Sequence, residues 1–208
     1  MKEDRKGYWC RRYKEQGCKA VGHCKLSSAQ LTAQTTNLQK QYEGLLQFLF
    51  HDRVVLDFGC GWGRWSAFLA SFCKQVYGVD IVEWAVKEAR KRVPKGIFAQ
   101  YDGLQLPFSD SQFGGVFSWT VLQHVPPSCI KQVASGLVRV LTPDGYLVLY
   151  ENTSIWLEDK EHIWYRGVDT YKHLFPPLHC IMVEVVGDAD GTGEEHSLMV
   201  FWKEGKGG

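Results

Sequence analysis

The sequence predicts an α/β fold: a three-layer sandwich around a mostly parallel, seven-stranded sheet that ends in an antiparallel strand pair. Three observations lead there. Short apolar runs alternate with helical periodicity between residues 54 and 150, a spacing that calls for a parallel sheet covered on both faces. A glycine-rich turn joins the first of these runs to a helix. The last two runs are separated by Gly187-Asp188-Ala189-Asp190-Gly191-Thr192-Gly193, too short for a helical crossover, so they pair antiparallel.

Taken in order, the stretch up to about Lys25 reads as irregular, with aromatic and basic residues mixed. Ser27 and Gln30 then form a capping box, opening a helix with Leu31, Leu38, Tyr42, Leu45, Leu46 and Leu49 on one face. Val54 to Phe58 is a buried strand. Trp65, Phe68, Leu69 and Phe72 place an amphipathic helix directly after the glycine turn. Val76 to Asp80 is the second strand, and Val82, Ala85, Val86, Ala89 and Val93 give the next helix, which Pro94 ends. Ile97 to Gln100 and Phe113 to Trp119 are the third and fourth strands. Ile130, Val133, Ala134, Leu137, Val138 and Leu141 make a clean helical stripe, and the turn Thr142-Pro143-Asp144-Gly145 launches the strand Tyr146 to Tyr150. Ile181 to Val186 and Ser197 to Trp202 complete the sheet, within a single domain spanning 1–208.

Charge narrows the function. Lys and Arg number 24 against 23 acids, a formal net charge of +1, whereas a generic nucleic-acid binder carries a strong basic excess. The first 25 residues depart from this balance, with Lys2, Arg5, Lys6, Arg11, Arg12, Lys14, Lys19 and Lys25 among them. They read as a solvated terminus or as a basic arm for an anionic substrate. No apolar run approaches the roughly 18 residues that span a bilayer, and no apolar segment follows the charged N-terminus as in a secretory signal. Seven scattered cysteines read as reduced thiols in a cytoplasmic protein. Cys10, Cys18, His23 and Cys24 lack a C-x-x-C pair to seat two ligands on one turn, so no metal is expected.

The chemistry concentrates in Asp57-Phe58-Gly59-Cys60-Gly61-Trp62-Gly63-Arg64. Glycines between a strand and a helix let the backbone turn tightly and approach a ligand, with the helix N-terminus behind. A dinucleotide fingerprint needs glycine at position 64, where this chain has Arg64. An acid at 57 suits a ligand whose end on the turn is cationic, such as an amino group beside a sulfonium; a pyrophosphate does not fit. Asp80, 23 residues later, closes the second strand where a carboxylate accepts both hydroxyls of a ribose.

Leu56 to Trp65 together with Gly78-Val79-Asp80-Ile81 resembles the first two motifs of class I, Rossmann-like S-adenosylmethionine-dependent methyltransferases of the methyltransferase type 11-like kind, and the likeness runs from Val54 to Trp202. Tyr101-Asp102-Gly103-Leu104 is similar to the segment whose Asp binds the adenine amino group. Phe117 to Val125 resembles the stretch after strand four that lies along the cofactor and faces the acceptor. The resemblance implies S-adenosylmethionine as donor and S-adenosylhomocysteine as product. It implies cofactor contacts from Trp9, Asp57, Phe58, Gly59, Cys60, Gly61, Asp80, Ile81, Asp102, Gly103, Leu104 and Trp119. Residues 1–50 become an arm and helix covering the site, 51–152 the cofactor-binding core, 153–179 an acceptor-side loop and 180–203 the terminal strands. Tyr8-Trp9-x-x-Arg12-Tyr13 with Val21-Gly22-His23 resembles the leading segment of thiopurine-methyltransferase-like enzymes, which folds over the cofactor; a surface helix with exposed aromatics is the alternative.

His124 is the candidate general base, since its unperturbed pKa lies near neutrality, and Trp119 offers a ring face for the sulfonium. Tyr13, Trp164, Arg166 and Tyr171 are candidate acceptor contacts, Arg166 either pairing with a carboxylate or phosphate on the acceptor or bonding loop carbonyls. Strand four ends Phe117-Ser118-Trp119-Thr120, without an Asn/Asp-Pro-Pro-Tyr/Phe to hold a flipped base or a Pro-Cys pair for a pyrimidine. The expectation is therefore methylation of a small-molecule oxygen, nitrogen or sulfur acceptor by a monomer or homodimer. Its rivals are a protein or RNA methyltransferase using the basic arm, and a non-catalytic cofactor-binding module.

Overall fold

The computed structural model describes residues 5–20, 27–160, 162–187 and 193–205. The chain divides into two compact units, residues 1–102 and 103–208. The first holds α1 (Arg5–Gln16), α2 (Ser28–Phe50), β1 (Val54–Phe58), α3 (Arg64–Leu69), β2 (Gln75–Asp80), α4 (Glu83–Arg92) and β3 (Ile97–Gln100). The second holds β4 (Phe113–Trp119), a 3-10 turn (Leu122–His124), α5 (Ile130–Val140), β5 (Leu141–Asn152), α6 (Val168–Leu174), β6 (His179–Val186) and β7 (His196–Trp202). The strand order is β3-β2-β1-β4-β5-β7-β6, the mostly parallel seven-stranded sheet that the sequence predicts.

In the first unit β1 pairs with β2 and β2 with β3, both parallel. Parallel strands covered on both sides must be apolar throughout, and Val55, Leu56 and Phe58 are fully buried. α4 packs on β2 and β3 through Ala85, Val86 and Ala89. The capping box forms as expected: the Ser27 hydroxyl accepts the Gln30 N–H at 3.2 Å, and the Gln30 side chain accepts the Ser27 N–H at 2.9 Å. α1 is a correction, because this stretch reads as irregular. Its basic residues hide the periodicity, yet Tyr13 turns inward to 5% exposure and the helix rests on α4.

In the second unit β4 and β5 are parallel, and β7 runs antiparallel to both β5 and β6. α5 buries Ile130, Val133, Ala134, Leu137 and Val140, each large side chain contributing about 1.5–3 kcal/mol. The expected turn before strand five lies inside β5 as an irregularity. Pairing slips between Phe113↔Leu141 and Gly115↔Tyr146, and Asp144 takes a left-handed φ of 57°. The chain after β7 secures it: Asp144 N–H donates to the Lys203 carbonyl at 2.8 Å and Lys203 N–H to the Gly145 carbonyl at 3.0 Å. The 153–179 connection, read as a loop, contains α6 and a bridge between Lys160 and Ile163.

Gly63 occupies a left-handed φ of 84°, and a Cβ there would lie 3.2 Å from the Ala89 Cα. Backbone cannot yield as a side chain tip can. Gly63→Ala is therefore expected to lower stability by about 1–3 kcal/mol, measured as a shifted urea midpoint at unchanged slope.

Candidate functional site

Two strands of the first unit end in an acid beside the glycine turn. Asp57 is 2% exposed and accepts the Ser66 hydroxyl at 2.5 Å, joining the end of β1 to the first turn of α3. Burial pushes its carboxyl up to about 7, against the lowering effect of that hydroxyl. Asp80 is half-buried as a residue, with its carboxylate turned onto the glycine turn. It accepts the Gly61 N–H at 3.0 Å and the Val82 N–H at 2.9 Å, one on each oxygen. Burial again dominates, raising Asp80 to about 6.

Between the acids, Gly59, Gly61 and Gly63 hold φ of 74°, 52° and 84°, a left-handed series that only glycine adopts freely. The Gly59 and Cys60 N–H groups both donate to the Val79 carbonyl at 2.9 Å, so the turn is fastened to β2. Phe58 and Cys60 face inward. Phe58 is fully buried and meets Tyr101 edge-on at 5.7 Å, while Cys60 packs among Val86, Ala89, Val93 and Phe98. Cys60 therefore offers a ligand its backbone, not its thiol. Ile81 is half-buried, its carbonyl accepting from Gln100 at 2.9 Å. Asp102 is exposed, Gly103 is buried with φ of 87°, and Leu104 is half-buried.

α1 brings Trp9 beside Ile81 and Trp62, against a core of Tyr13, Ala20, Val82 and Ala85. Trp9 thus shares a cluster with the residue that follows Asp80. Tyr13 has a different occupation from the acceptor contact expected of it. Its ring is buried between α1 and α4, 5.2 Å from Trp84. Val21, Gly22, His23 and Cys24 lie outside the described residues, as does the Cys18 side chain.

The second unit builds a polar knot at the ends of β4 and β5. Thr120 sits at a left-handed φ of 54°, and its N–H donates to the Tyr150 carbonyl at 2.6 Å. The chain then makes the short turn that carries His124. His124 Nδ1 lies 2.7 Å from the His162 carbonyl, and its Nε2 lies 3.3 Å from the Gln123 side-chain nitrogen. A carbonyl can only accept, so Nδ1 bears the proton, while the Gln123 side-chain nitrogen can only donate and turns an N–H to Nε2. Gln123 is fixed in turn, its side-chain oxygen accepting the Asn152 N–H at 2.9 Å and its carbonyl the Trp164 N–H at 2.8 Å.

Trp119 is half-buried and stacks on Tyr150 with centroids 3.8 Å apart and planes 1° apart. Trp164 is half-buried, edge-on to His162. Of its two expected roles, the Arg166 guanidinium takes the one on loop carbonyls, donating to Leu122 at 2.9 Å and Val125 at 2.6 Å. Tyr171 is fully buried in the core of the unit, a correction to the acceptor contact expected of it.

Sequence reasoning missed Glu151. It is fully buried at the end of β5 and accepts the N–H groups of Val121, Leu122 and Gln123 at 3.1, 2.9 and 3.0 Å. Burial raises it to about 7 despite these donors and Arg166 nearby. The available signal was a polar pair, Glu151-Asn152, directly continuing an apolar strand.

Comparison with known proteins agrees with this geometry. Residues 55–145 match the family described as a methyltransferase domain. Over 131 residues the chain is 34% identical to the 27-O-demethylrifamycin SV methyltransferase of Amycolatopsis mediterranei, covering 59% of this chain and 46% of that one. The chain spans about half the length of the first curated relatives it matches, 50% and 46%. A SAM-dependent methyltransferase from Methanosarcina mazei superposes with a TM-score of 0.69 at 21% identity, covering 79% of this chain and 99% of that one. The [4+2]-cyclase SpnF superposes with a TM-score of 0.72 at 12% identity, covering 98% of both chains. Residues 55–145 thus match a methyltransferase domain, and the fold around them is that of class I, S-adenosylmethionine-dependent methyltransferases.

Proposed function

We propose that this protein transfers a methyl group from S-adenosylmethionine to a small-molecule oxygen, nitrogen or sulfur acceptor, with His124 as the general base. The observation that carries the donor half is the pair of acids flanking three left-handed glycines. Asp57 and Asp80 are both raised by burial, so a cation placed beside them relieves a cost the fold already bears. Each Asp80 oxygen accepts one backbone N–H, and its remaining lone pairs suit two ribose hydroxyls. Asp57 would take the amino group, and Asp102 the adenine amino group. Gly59, Cys60, Gly61, Ile81, Gly103 and Leu104 would line the bed, with Trp9 beside it. The bound donor supplies a methyl group on a positively charged sulfur.

The acceptor half belongs to the second unit. His124 Nε2 takes the acceptor's proton, and the Nδ1 bond to His162 keeps the ring in the tautomer that allows it. Trp119 offers one ring face to positive charge while Tyr150 covers the other, and Trp164 lines the acceptor. Near-balanced charge and the small-molecule acceptor for which the rifamycin relative is named favour a small molecule over a polyanion. No described helix is long and apolar enough to cross a membrane, and a cytoplasmic monomer or homodimer fits this reading. A second reading, a module that binds the donor without transferring its methyl group, has one observation behind it: the cyclase named above has this fold over its whole length, and a fold alone does not dictate the reaction.

Release of S-adenosylhomocysteine from S-adenosylmethionine over a panel of phenols, amines and thiols separates the two. Methyl transfer requires release with at least one class; donor binding with no release across the panel favours the second reading. His124→Ala is expected to lower turnover about 10²–10⁴-fold with donor binding nearly intact; unaltered turnover would end its role as base. Asp80→Ala is expected to weaken S-adenosylhomocysteine binding by about 1–3 kcal/mol, and unchanged calorimetric affinity would sink the ribose assignment. Affinity also depends on pH. The ligand ammonium favours ionised Asp57, whose carboxyl titrates at about 7 in the free protein. Binding is therefore tightest above that pH and weakens as pH falls through it, by up to about tenfold per pH unit. A flat profile between pH 5 and 8 would remove Asp57 from the ammonium.

A further inference from the structure

We propose that Glu151 is a positioning residue: it holds the turn Val121–Val125 by its N–H end while Arg166 holds the same turn by its carbonyl end, and together they aim His124. The inference rests on the reading of His124 as the base and adds what fixes it in place. A free turn of this length has no helix to organise it, and its first amides have no partners within the turn. Here one Glu151 oxygen accepts Val121 and Leu122 and the other accepts Gln123, so three successive amides converge on one carboxylate. The Ser118 hydroxyl reaches the first oxygen at 3.5 Å. At the far end, Arg166 receives the Leu122 and Val125 carbonyls on its two terminal nitrogens. Leu122 is gripped from both sides.

Charge-assisted hydrogen bonds are shorter and stronger than neutral ones, and both grips are of that kind. Backbone strain points to the same place. Thr120, just before the turn, and His162, whose carbonyl receives His124 Nδ1, have left-handed φ of 54° and 63°. A β-branched residue rarely takes that conformation, and such strain persists where surrounding contacts over-determine it. Here the Tyr150 carbonyl holds the Thr120 N–H, directly beside the amides that Glu151 gathers. Glu151 touches no reacting atom in this account and acts through the turn alone.

Glu151→Gln tests the clamp at nearly constant volume. One oxygen survives to accept Val121 and Leu122, and the new amide meets the Gln123 N–H donor to donor. In the variant, amide exchange at Val121, Leu122 and Gln123 is expected to quicken about tenfold or more, the loss of one charge-assisted bond. The His124 side-chain ¹⁵N spectrum is expected to pass from a single Nδ1–H tautomer to a mixture. Binding of S-adenosylhomocysteine should stay within about twofold, which shows that the donor half is intact. Unchanged exchange and an unchanged tautomer would overturn the proposal, even if thermal stability fell. Should Glu151→Gln not fold, Arg166→Gln releases the carbonyl end and the same spectrum decides: a retained single tautomer overturns the clamp. Neither readout uses turnover. Loss of the base role in His124→Ala would therefore refute the catalytic reading and leave the positioning result standing on its own.

Discussion

A carboxylate buried at the end of a strand has lost its water and must find donors close by, or it will take up a proton. In this fold β1, β2 and β5 each end that way, at Asp57, Asp80 and Glu151, and the donors come from whatever turn follows or lies alongside. The acids thereby shape the loops. Asp80 draws in the glycine turn through Gly61 and the start of α4 through Val82. Asp57 ties α3 to β1 through Ser66, and Glu151 gathers the amides of the turn that carries His124. Glycine at 59, 61 and 63 is the backbone side of the same constraint, because the amides must curl toward Val79 and Asp80 at dihedral angles a side chain would resist. Remove the acids and the loops have no reason to adopt these courses.

The same requirement explains why several expected ligand contacts serve the protein instead. Arg166 and Tyr171 lie in an aromatic, polar segment that composition alone assigns to an acceptor. Arg166 supplies a donor to the Val125 carbonyl and a second one to the Leu122 carbonyl, which already accepts the Val125 N–H. Tyr13 is taken up by the cluster between α1 and α4, where it is buried with Ala20, Val82 and Ala85. Residue type narrows what a side chain can bind; the unmet polar groups around it decide what it does bind.

Sequence reading reached the fold because hydrophobic period is a local property. The runs Val54–Phe58 and Ile130–Leu141 announce strand and helix by themselves, and the nine residues between β6 and β7 are too few for a helical crossover, which forces antiparallel pairing. Asp57 and Asp80 were legible because a glycine turn and two acids at strand ends form a pattern within 24 residues. α1 was not, because five basic residues in twelve mask a stripe that only the α4 surface makes apolar. Glu151 was not legible either, since its partners lie about thirty positions away and nothing near it records that a turn will fold onto it. His124 stood out as a residue type, while the carbonyl that orients it, His162, comes from 38 positions downstream.

The three acids also set the pH behaviour of the free protein. Their carboxyls are raised from 3.8, 3.8 and 4.5 to about 7, 6 and 7, so the folded chain holds protons that the unfolded chain would release. Their contribution to stability is then full below about pH 4 and is lost as pH rises through 6 to 7. A cationic donor reverses this for Asp57 and Asp80 by favouring their ionised forms. It does nothing comparable for Glu151, whose stabilising groups are amides of its own unit and the Arg166 guanidinium. The donor half of the fold is thus completed by its ligand, whereas the half that carries His124 is completed by the chain itself. On the proposed reading, that division would let the donor come and go beside a turn that the chain itself keeps in place.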